Sequence, residues 1–383
     1  MSQHACDLGT GAVGTLLRQA VIARSDGAWD AAHRTARAVA AQPATSHPDD
    51  ASLYRGAPAL AYALHTAGHP AYHSALKTLD ETVANLVRVR LVAAHARMDA
   101  GQPPRMSEYD LISGLTGLGA HLLHRRTRPE LLEQVLRYLV RLLLHPVTTG
   151  SLVLPGWWTS DGPGGQPVNE LPHGHGNFGL AHGVAGPLAL LALSARAGVR
   201  VSGGEEALER ACRLLEQWLC PTPQGAALWP ETLTAHQWYA GPPPSITPSR
   251  PSWCYGAPGI ARALQLAALA CGRVSAQRDA QQALAACLTD QSQLDLLGGA
   301  TVCHGWAGLA LVVNAAAADA PAGSPLPAQI PLLRERLSTH LDQHPMPDNG
   351  GLLTGSDGVL LTLHTLTPTR CAAPTWQTCL LLN

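Results

Sequence analysis

Four positions in this chain carry side chains suited to catalysis or metal binding, and each lies within a few residues ahead of a glycine. They are Asp110, His182, Cys254 and the adjacent pair Cys303–His304. Two cysteines and one histidine form a donor set that zinc accepts, with a fourth position left for water or substrate. A cysteine at the start of a helix is also expected to have a lowered pKa, because the free N–H groups there favour an anion. The residue types therefore indicate a zinc site accompanied by an imidazole and a carboxylate.

Spacing alone leaves structural alternatives open. Cys254 and Cys303 are too far apart to match a short zinc motif, so the site depends on the fold bringing them together. A lone cysteine in an apolar chain is usually a buried small hydrophobe, and His182 alone would more often be a hydrogen-bonded structural residue. Nine scattered cysteines argue against a disulfide framework. The remaining seven lie in apolar helical runs (Cys212, Cys271, Cys287) or have no evident partner (Cys6, Cys220, Cys371, Cys379).

A recurring pattern positions these residues. A Gly-x-x-Gly step is followed each time by an apolar run at helical spacing, and the first glycines of successive copies lie 49 to 73 residues apart by subtraction. The first copy, at Gly56, lacks the second glycine. The copies read "YRGAPALAYAL", "SGLTGLGAHLL", "AHGVAGPLALLAL", "CYGAPGIARAL", "CHGWAGLALVV" and "LTGSDGVLLTL". A chemically capable residue precedes four of the six.

Most intervals between copies hold a second amphipathic run, such as 129–145 and 204–219. A long repeat with two helices per copy is typical of an α-solenoid, or of helix pairs closed into a ring. Glycines at the helix starts would permit tight turns and close approach of the backbone. The Gly- and Pro-rich stretches 154–179 and 240–252 are not expected to form regular elements, and they predict ordered loops over one face. We therefore expect one all-α domain over residues 1–383, with N-terminal helices of that domain within residues 1–50.

Composition narrows the function classes. The chain is 46% hydrophobic and 14% charged with a formal net charge of -1, which permits a large core and gives no electrostatic case for nucleic acid or an anionic membrane. There is no apolar run of about 18 residues, and the start of the chain lacks the pattern of a signal peptide. The sequence therefore predicts a cytoplasmic protein without a transmembrane segment.

Taken together, the motifs resemble those of the lanthionine synthetase C-like family, the LanC cyclases. The resemblance rests on "YDLISGLTGLG", "NFGLAHGVAGPLALL", "SWCYGAPGIARAL", "CHGWAGLA" and "LLTGSDGVLLTL", in that order, and on the closing "PTWQTCLLLN". It runs from about residue 52 to the C-terminus. It implies an α/α toroid, with inner and outer helices in concentric rings and zinc at one end of the central cavity.

Matched by motif position, the resemblance implies particular site residues. One zinc ion per chain would be held by Cys254, Cys303 and His304. The family's active-site histidine, aspartate, arginine and tyrosine match His182, Asp110, Arg250 and Tyr255. The "HGHG" segment adds His173 and His175 near the "LAHG" motif, where they are more readily assigned to a polar loop than to metal or substrate binding.

The activity implied is ring closure in ribosomally made peptides. A cysteine of a dehydrated lanthipeptide precursor would add to dehydroalanine or dehydrobutyrine and form a (methyl)lanthionine thioether. His182 has the pKa range for proton transfer, with Asp110 orienting it and Arg250 or Tyr255 stabilising the enolate. Implied partners are a dehydratase and an exporter, through which the enzyme could associate with a membrane. The alternatives are a LanC-like protein that binds glutathione or another thiol and adds it to dehydrated residues or acts in signalling, and a non-catalytic partner of a dehydratase.

Overall fold

The computed structural model describes residues 6–162, 164–166, 168–222, 226–367 and 376–383. Within these ranges regular structure is dominated by α-helices, numbered α1 to α16 along the chain, and the six strands have two or three residues each. This confirms the helical class predicted from the apolar spacing. Contacts group the chain into two compact units, the first within residues 1–87, 120–128 and 298–383 and the second within residues 88–119 and 129–297. A single domain over 1–383 stays a prediction.

In the first unit, fully buried helices pack against amphipathic ones. Helix α1 packs on α2, α3 and α16, and α14 packs on α15 and α16. Nearly every residue of α3 and most of α14 are buried, whereas α15 buries little more than Leu326, Leu333 and Leu337. The helices that contribute to this unit are α1 (Ala12–Asp26), α2 (Asp30–Ala40), α3 (Ala57–Ala67), α4 (His73–Asp99), α6 (Leu115–Arg125), α14 (Trp306–Ala318), α15 (Leu326–Gln343) and α16 (Ser356–Thr365), with 3-10 turns at Pro70–Tyr72 and Trp376–Leu380.

The closing segment of the chain is anchored to this unit by two tyrosines. The hydroxyl of Tyr62 donates to the carbonyl of Trp376 at 2.7 Å and accepts from the N–H of Cys379 at 2.9 Å. The hydroxyl of Tyr54 donates to the carbonyl of Cys379 at 2.7 Å. The tryptophan and the leucines that follow it are fully buried. This ending is therefore part of the core of the first unit.

The second unit repeats the pairing of buried and amphipathic helices. Helices α8 and α11 are buried along most of their length and pack on each other. Around them, α9 packs on α7, α8 and α11, and α12 packs on α11. Its helices are α5 (Met106–Tyr109), α7 (Pro129–Leu144), α8 (Ala185–Arg196), α9 (Gly204–Gln217), α10 (Ala235–Ala240), α11 (Ala257–Ala270), α12 (Val274–Cys287) and α13 (Gln291–Leu294). The runs predicted at 129–145 and 204–219 are confirmed as α7 and α9.

The loops of the second unit contain three two-stranded antiparallel sheets. They pair β1 (Val147–Thr149) with β2 (Leu152–Leu154), β3 (Gly176–Asn177) with β6 (Thr232–Leu233), and β4 (Cys220–Pro221) with β5 (Ala227–Leu228). Strand β3 lies within 154–179, so the expectation that this stretch contains no regular element was wrong. Its partner β6 is distant in sequence, and a two-residue strand has no alternation that could reveal it.

The glycine steps begin the helices as expected. Gly256 is the N-cap of α11 and has φ +95°, a conformation that side-chain-bearing residues rarely adopt. A Cβ there would lie 2.5 Å from the carbonyl oxygen of Arg250. Gly305, the N-cap of α14, has an extended backbone, and its Cβ would lie 2.3 Å from the carbonyl oxygen of Gly299. Both glycines let an approaching loop fold back against the helix start, which places Cys254, Cys303 and His304 just ahead of the helices.

None of the described cysteines forms a disulfide, and no described helix has the length and apolarity needed to cross a membrane. Cys287 is fully buried on α12, and Cys6, Cys220 and Cys379 are also buried. Cys212 and Cys271 are partly buried, and Cys371 lies outside the described residues.

Candidate active site and metal centre

Cys254, Cys303 and His304 could hold a metal ion, because their ligand atoms all lie within 4.8 Å of one another. Cys254 is buried, and the other two are partly exposed. The N–H of Cys303 donates to the carbonyl of Leu353 at 2.8 Å, which ties the "CHG" segment to the "LLTG" segment. Two sulfurs and an imidazole nitrogen are a zinc donor set, so the residues fit the ion that the sequence implied.

Backbone hydrogen bonds join three of the motifs in the second unit. The carbonyl of Cys254 accepts from the N–H groups of Leu180 and Ala181, at 3.0 and 3.3 Å. The carbonyl of Ala181 in turn accepts from the N–H of Leu111 at 3.0 Å. Leu111 follows Asp110 directly, and Ala181 precedes His182 directly, so these bonds connect the backbone at Asp110, His182 and Cys254. The relative positions of these three residues are therefore set by the main chain.

Asp110 and His182 form a close pair. His182 Nδ1 lies 2.6 Å from Asp110 Oδ2, and Asp110 Oδ1 accepts from the N–H groups of Ser113 and Gly114 at 2.6 and 2.8 Å. The aspartate is 2% exposed, whereas the side chain of His182 is 30% exposed. Burial alone would lower the pKa of His182, but the hydrogen bond to Asp110 and its charge, with Cys254 adding to them, raise it. With Nδ1 engaged, Nε2 is the nitrogen that can exchange a proton with a substrate.

Tyr255 lies beside this pair, with its ring centroid 6.2 Å from that of His182. Its hydroxyl accepts from Asn177 Nδ2 at 2.9 Å. The amide orientation follows from the other bond of Asn177, whose Oδ1 accepts from the N–H of Gly179 at 3.0 Å. Since the tyrosine oxygen is the acceptor, its O–H remains available to donate. Burial raises the pKa of Tyr255 to about 12, so it is protonated at neutral pH.

The other sequence candidates are placed differently. Arg250 is exposed, and its side chain has no hydrogen bond or ion pair with any other described residue. His173 is exposed, and its contact with the described part of the chain is a hydrogen bond that its carbonyl accepts from the indole N–H of Trp158. His175 is 1% exposed, and its Nδ1 lies 2.7 Å from the carbonyl oxygen of Asp161. Burial lowers the pKa of His175, which favours the neutral imidazole. Neither histidine belongs to the candidate metal group.

Two neighbours of the site were missed from the sequence. Asn177 is fully buried and orients Tyr255. Ser252 Oγ lies 3.5 Å from Cys254 Sγ and donates to the carbonyl of Tyr255 at 2.6 Å. Asn177 is in "NFG" and Ser252 is in "SWCYG", so both were inside motifs already quoted. A polar residue a few positions ahead of a chemically capable one was the available signal, but small polar residues are too common in loops for that signal to be selective.

Comparison with known proteins identifies the family. The model of the lanthionine synthetase C-like protein family matches residues 2–381. The chain belongs to this family. The nisin biosynthesis protein NisC of Lactococcus lactis subsp. lactis is 25% identical to it over 262 residues, a match that spans 67% of this chain and 60% of that relative.

A solved structure shares the fold of this chain. The solved structure of nisin cyclase superposes with a TM-score of 0.82 at 20% identity and covers 100% of this chain and 93% of that chain. This likeness confirms the α/α toroid fold class that the family resemblance implied. It extends over residues 1–50, which the sequence motifs did not cover.

Proposed function

We propose that this protein is a zinc-dependent lanthipeptide cyclase that forms (methyl)lanthionine rings in a dehydrated precursor peptide. One observation carries the proposal. Cys254 supplies a sulfur to the candidate metal group, and its carbonyl accepts from the two residues directly before His182. A metal ligand and a residue suited to proton transfer are therefore held on a shared piece of backbone, as an addition that needs an activated thiol and a proton donor requires.

The proposed reaction is an addition without loss of atoms. The substrate thiol gives up its proton, and its sulfur forms a bond to the β-carbon of dehydroalanine or dehydrobutyrine. The π electron pair moves to the α-carbon and its carbonyl as an enolate, and the α-carbon then takes a proton. The product is an isomer of the substrate. Zinc held by Cys254, Cys303 and His304 would supply a Lewis acid that lowers the pKa of the substrate thiol.

His182 is the proton-transfer residue of this proposal. Its Nδ1 is fixed by Asp110, so Nε2 is the atom that receives or delivers a proton. Asp110 raises the pKa of His182, which makes the protonated form available near neutral pH. That form can deliver the proton to the α-carbon from one face, so His182 would also set the stereochemistry of the new centre.

Tyr255 is the oxyanion donor of this proposal. Its O–H is not used by Asn177 and can donate to the enolate oxygen as charge develops there. Arg250 is exposed and can meet the peptide only from the solvent side, so we assign it to substrate contact rather than to the reacting atoms.

The proposed reaction requires a partner enzyme that prepares the substrate. Dehydrated residues do not occur in a newly made peptide, so a dehydratase must act before this protein. An exporter and a cytoplasmic location are consistent with peptide maturation inside the cell and remain part of the proposal.

The test uses a synthetic peptide that contains one cysteine and one dehydroalanine. Incubation with the zinc-loaded protein should remove the thiol, measured with a thiol-reactive dye, while the peptide mass stays unchanged. A thiol titre that stays unchanged with a cognate precursor would contradict the proposal. Added glutathione provides the control, since a peptide that gains the mass of glutathione instead of cyclising would support a thiol-adding protein.

A further inference from the structure

A basic cavity lies in the first unit, which does not contain His182 or Tyr255. Its volume is about 520 Å³. Among the described residues, no Asp or Glu lines it. Arg24, Lys77 and Arg125 supply permanent positive charges to its wall. His65, His69, His73 and His124 also line it, and burial lowers the pKa of His65 and of His124. Since the whole chain has a net charge of -1, this is a local concentration of positive charge.

Two acidic residues of α4, Asp80 and Glu81, are already paired with arginines. Asp80 accepts from Nε and Nη2 of Arg125 at 3.0 and 2.8 Å, so it offsets that one guanidinium. Glu81 is paired with Arg128, which does not line the cavity. Among the described residues, Arg24 forms two long hydrogen bonds, at 3.4 Å, to the carbonyl oxygens that end α3. The charges of Arg24 and Lys77 therefore remain available to an anion.

Lys77 is the single lysine of the chain, beside 25 arginines. It is exposed on α4, as is His73 one turn before it. An ammonium on a flexible stem binds a carboxylate as a point charge, without the geometric demands of a guanidinium fork. Lys77 is therefore suited to a ligand that carries several separate carboxylates.

The size and composition of the wall favour a peptide over a small anion. A volume of about 520 Å³ far exceeds the roughly 10–15 Å³ that a cavity needs to hold one water molecule, so several side chains of a ligand could enter it. The fork of Arg125 already holds Asp80, so it is not free to bind a phosphate through two nitrogens. His69 continues the wall into an aromatic group, with ring centroids 4.7 Å from those of Trp29 and His33. This group would accept apolar side chains next to the carboxylates.

We propose that this cavity binds an acidic segment of the precursor peptide, rich in Asp or Glu and separate from the residues that form rings. The inference rests on the proposed function for the identity of the peptide, but its chemistry depends only on the cavity. Binding there would hold the substrate to the enzyme while successive cysteines react, which raises their effective concentration at the site.

The test uses the full-length zinc-loaded protein and an acetylated synthetic peptide with several Asp residues and no Cys or dehydrated residue. The matched control peptide has Asn at every Asp position. Lys77 is acylated with an amine-reactive ester and followed by mass spectrometry, with the N-terminal amine as the internal reference. The Asp peptide should slow acylation of Lys77 relative to that reference, and the Asn peptide should not.

Affinity provides the second measurement. Lys77→Gln should weaken binding of the Asp peptide about two- to five-fold, the effect of removing one exposed charge pair. Arg334→Gln removes an exposed charge that does not line the cavity and should leave the affinity unchanged. Equal binding of both peptides, equal weakening by both variants, or equal protection of Lys77 by inorganic phosphate alone would overturn the inference.

Because neither peptide can cyclise, this outcome is separate from that of the ring-closure assay. If the protein cyclises its precursor but the Asp peptide does not protect Lys77, the acidic-segment site is refuted and the proposed function stands. If the Asp peptide protects Lys77 but the protein does not cyclise its precursor, peptide binding in the cavity is supported and the proposed function is refuted.

Discussion

The substitution Asp110→Asn tests the link between Asp110 and His182. The carboxylate now accepts three hydrogen bonds, at 2.6, 2.6 and 2.8 Å. Asparagine can keep the two from Ser113 and Gly114 through its oxygen, but its NH₂ group then faces His182 Nδ1. That nitrogen must become an acceptor, so the proton moves to Nε2 and the pKa of His182 falls. The variant therefore keeps its fold and has the wrong tautomer for the reaction.

The size of the effect follows from these bonds. Loss of the charge-assisted bond and weakening of the other two should lower the free energy of unfolding by about 1.5–3 kcal/mol. The rate of cyclisation should fall about 10²- to 10⁴-fold, because a general acid–base residue in the wrong tautomer loses most of its contribution. The pH limb assigned to His182 should move to lower pH. The zinc content should stay at that of the wild type.

The assay is the initial rate of thiol loss from the dehydrated precursor, with zinc measured by mass spectrometry. Glu108→Gln is the matched control. Glu108 also accepts three hydrogen bonds, two from Arg97 at 2.6 and 3.0 Å and one from Tyr138 at 2.7 Å, but it has no hydrogen bond with a described histidine. The control should lose stability and keep its rate. A rate for Asp110→Asn within about threefold of the wild type, with normal zinc, would refute the reasoning.

Three further predictions concern the oxyanion donor, the buried histidines and the helix starts. Tyr255→Phe should lower the cyclisation rate about 10²- to 10³-fold with KM little changed, if its O–H serves the enolate; a change in KM alone would assign it to peptide binding. Burial lowers the pKa values of His121 and His124 to about 3, so the unfolded chain takes up protons first as the pH falls below about 6.5. The free energy of unfolding should then drop by about 1.4 kcal/mol per histidine per pH unit, measured by urea titration at pH values from about 7 to 5. His121→Asn should remove about half of that slope, and an unchanged slope would show that His121 is not buried in neutral form. Gly256→Ala should destabilise the protein by more than Gly241→Ala. Both glycines have similar positive φ values, but only at Gly256 would a Cβ lie 2.5 Å from a carbonyl oxygen. Equal melting temperatures for the two variants would contradict this prediction.

The helix starts and the candidate metal group were predictable from the sequence, because each depends on a local signal that repeats. A glycine with no room for a Cβ, such as Gly305, must remain glycine, and it therefore marks the same structural position in each copy. Cys254, Cys303 and His304 stand at that position, so repetition places them at equivalent points of the fold. Their proximity is the consequence of the repeat rather than of their spacing in sequence.

The rest depended on contacts that no local pattern encodes. Asn177 acquires its role only because Tyr255, far along the chain, folds against it. Arg250 matched the family motif, yet its exposed position follows from the path of a proline-rich loop. The short strand β3 depends on a partner, β6, that is distant in sequence. The basic cavity could not be predicted from a local pattern either, because its side chains come from four separate helices and one loop.

The most direct test of the central claim is the activity of the metal-free protein. The protein is stripped with a chelator, its zinc content is measured, and the dehydrated precursor is added before and after one equivalent of zinc is restored. We expect one zinc per chain in the untreated protein, no ring closure without it, and recovery of activity on its return. Cys303→Ala should bind zinc weakly and remain inactive after zinc is added. Ring closure at the normal rate by protein that contains no metal would contradict the account.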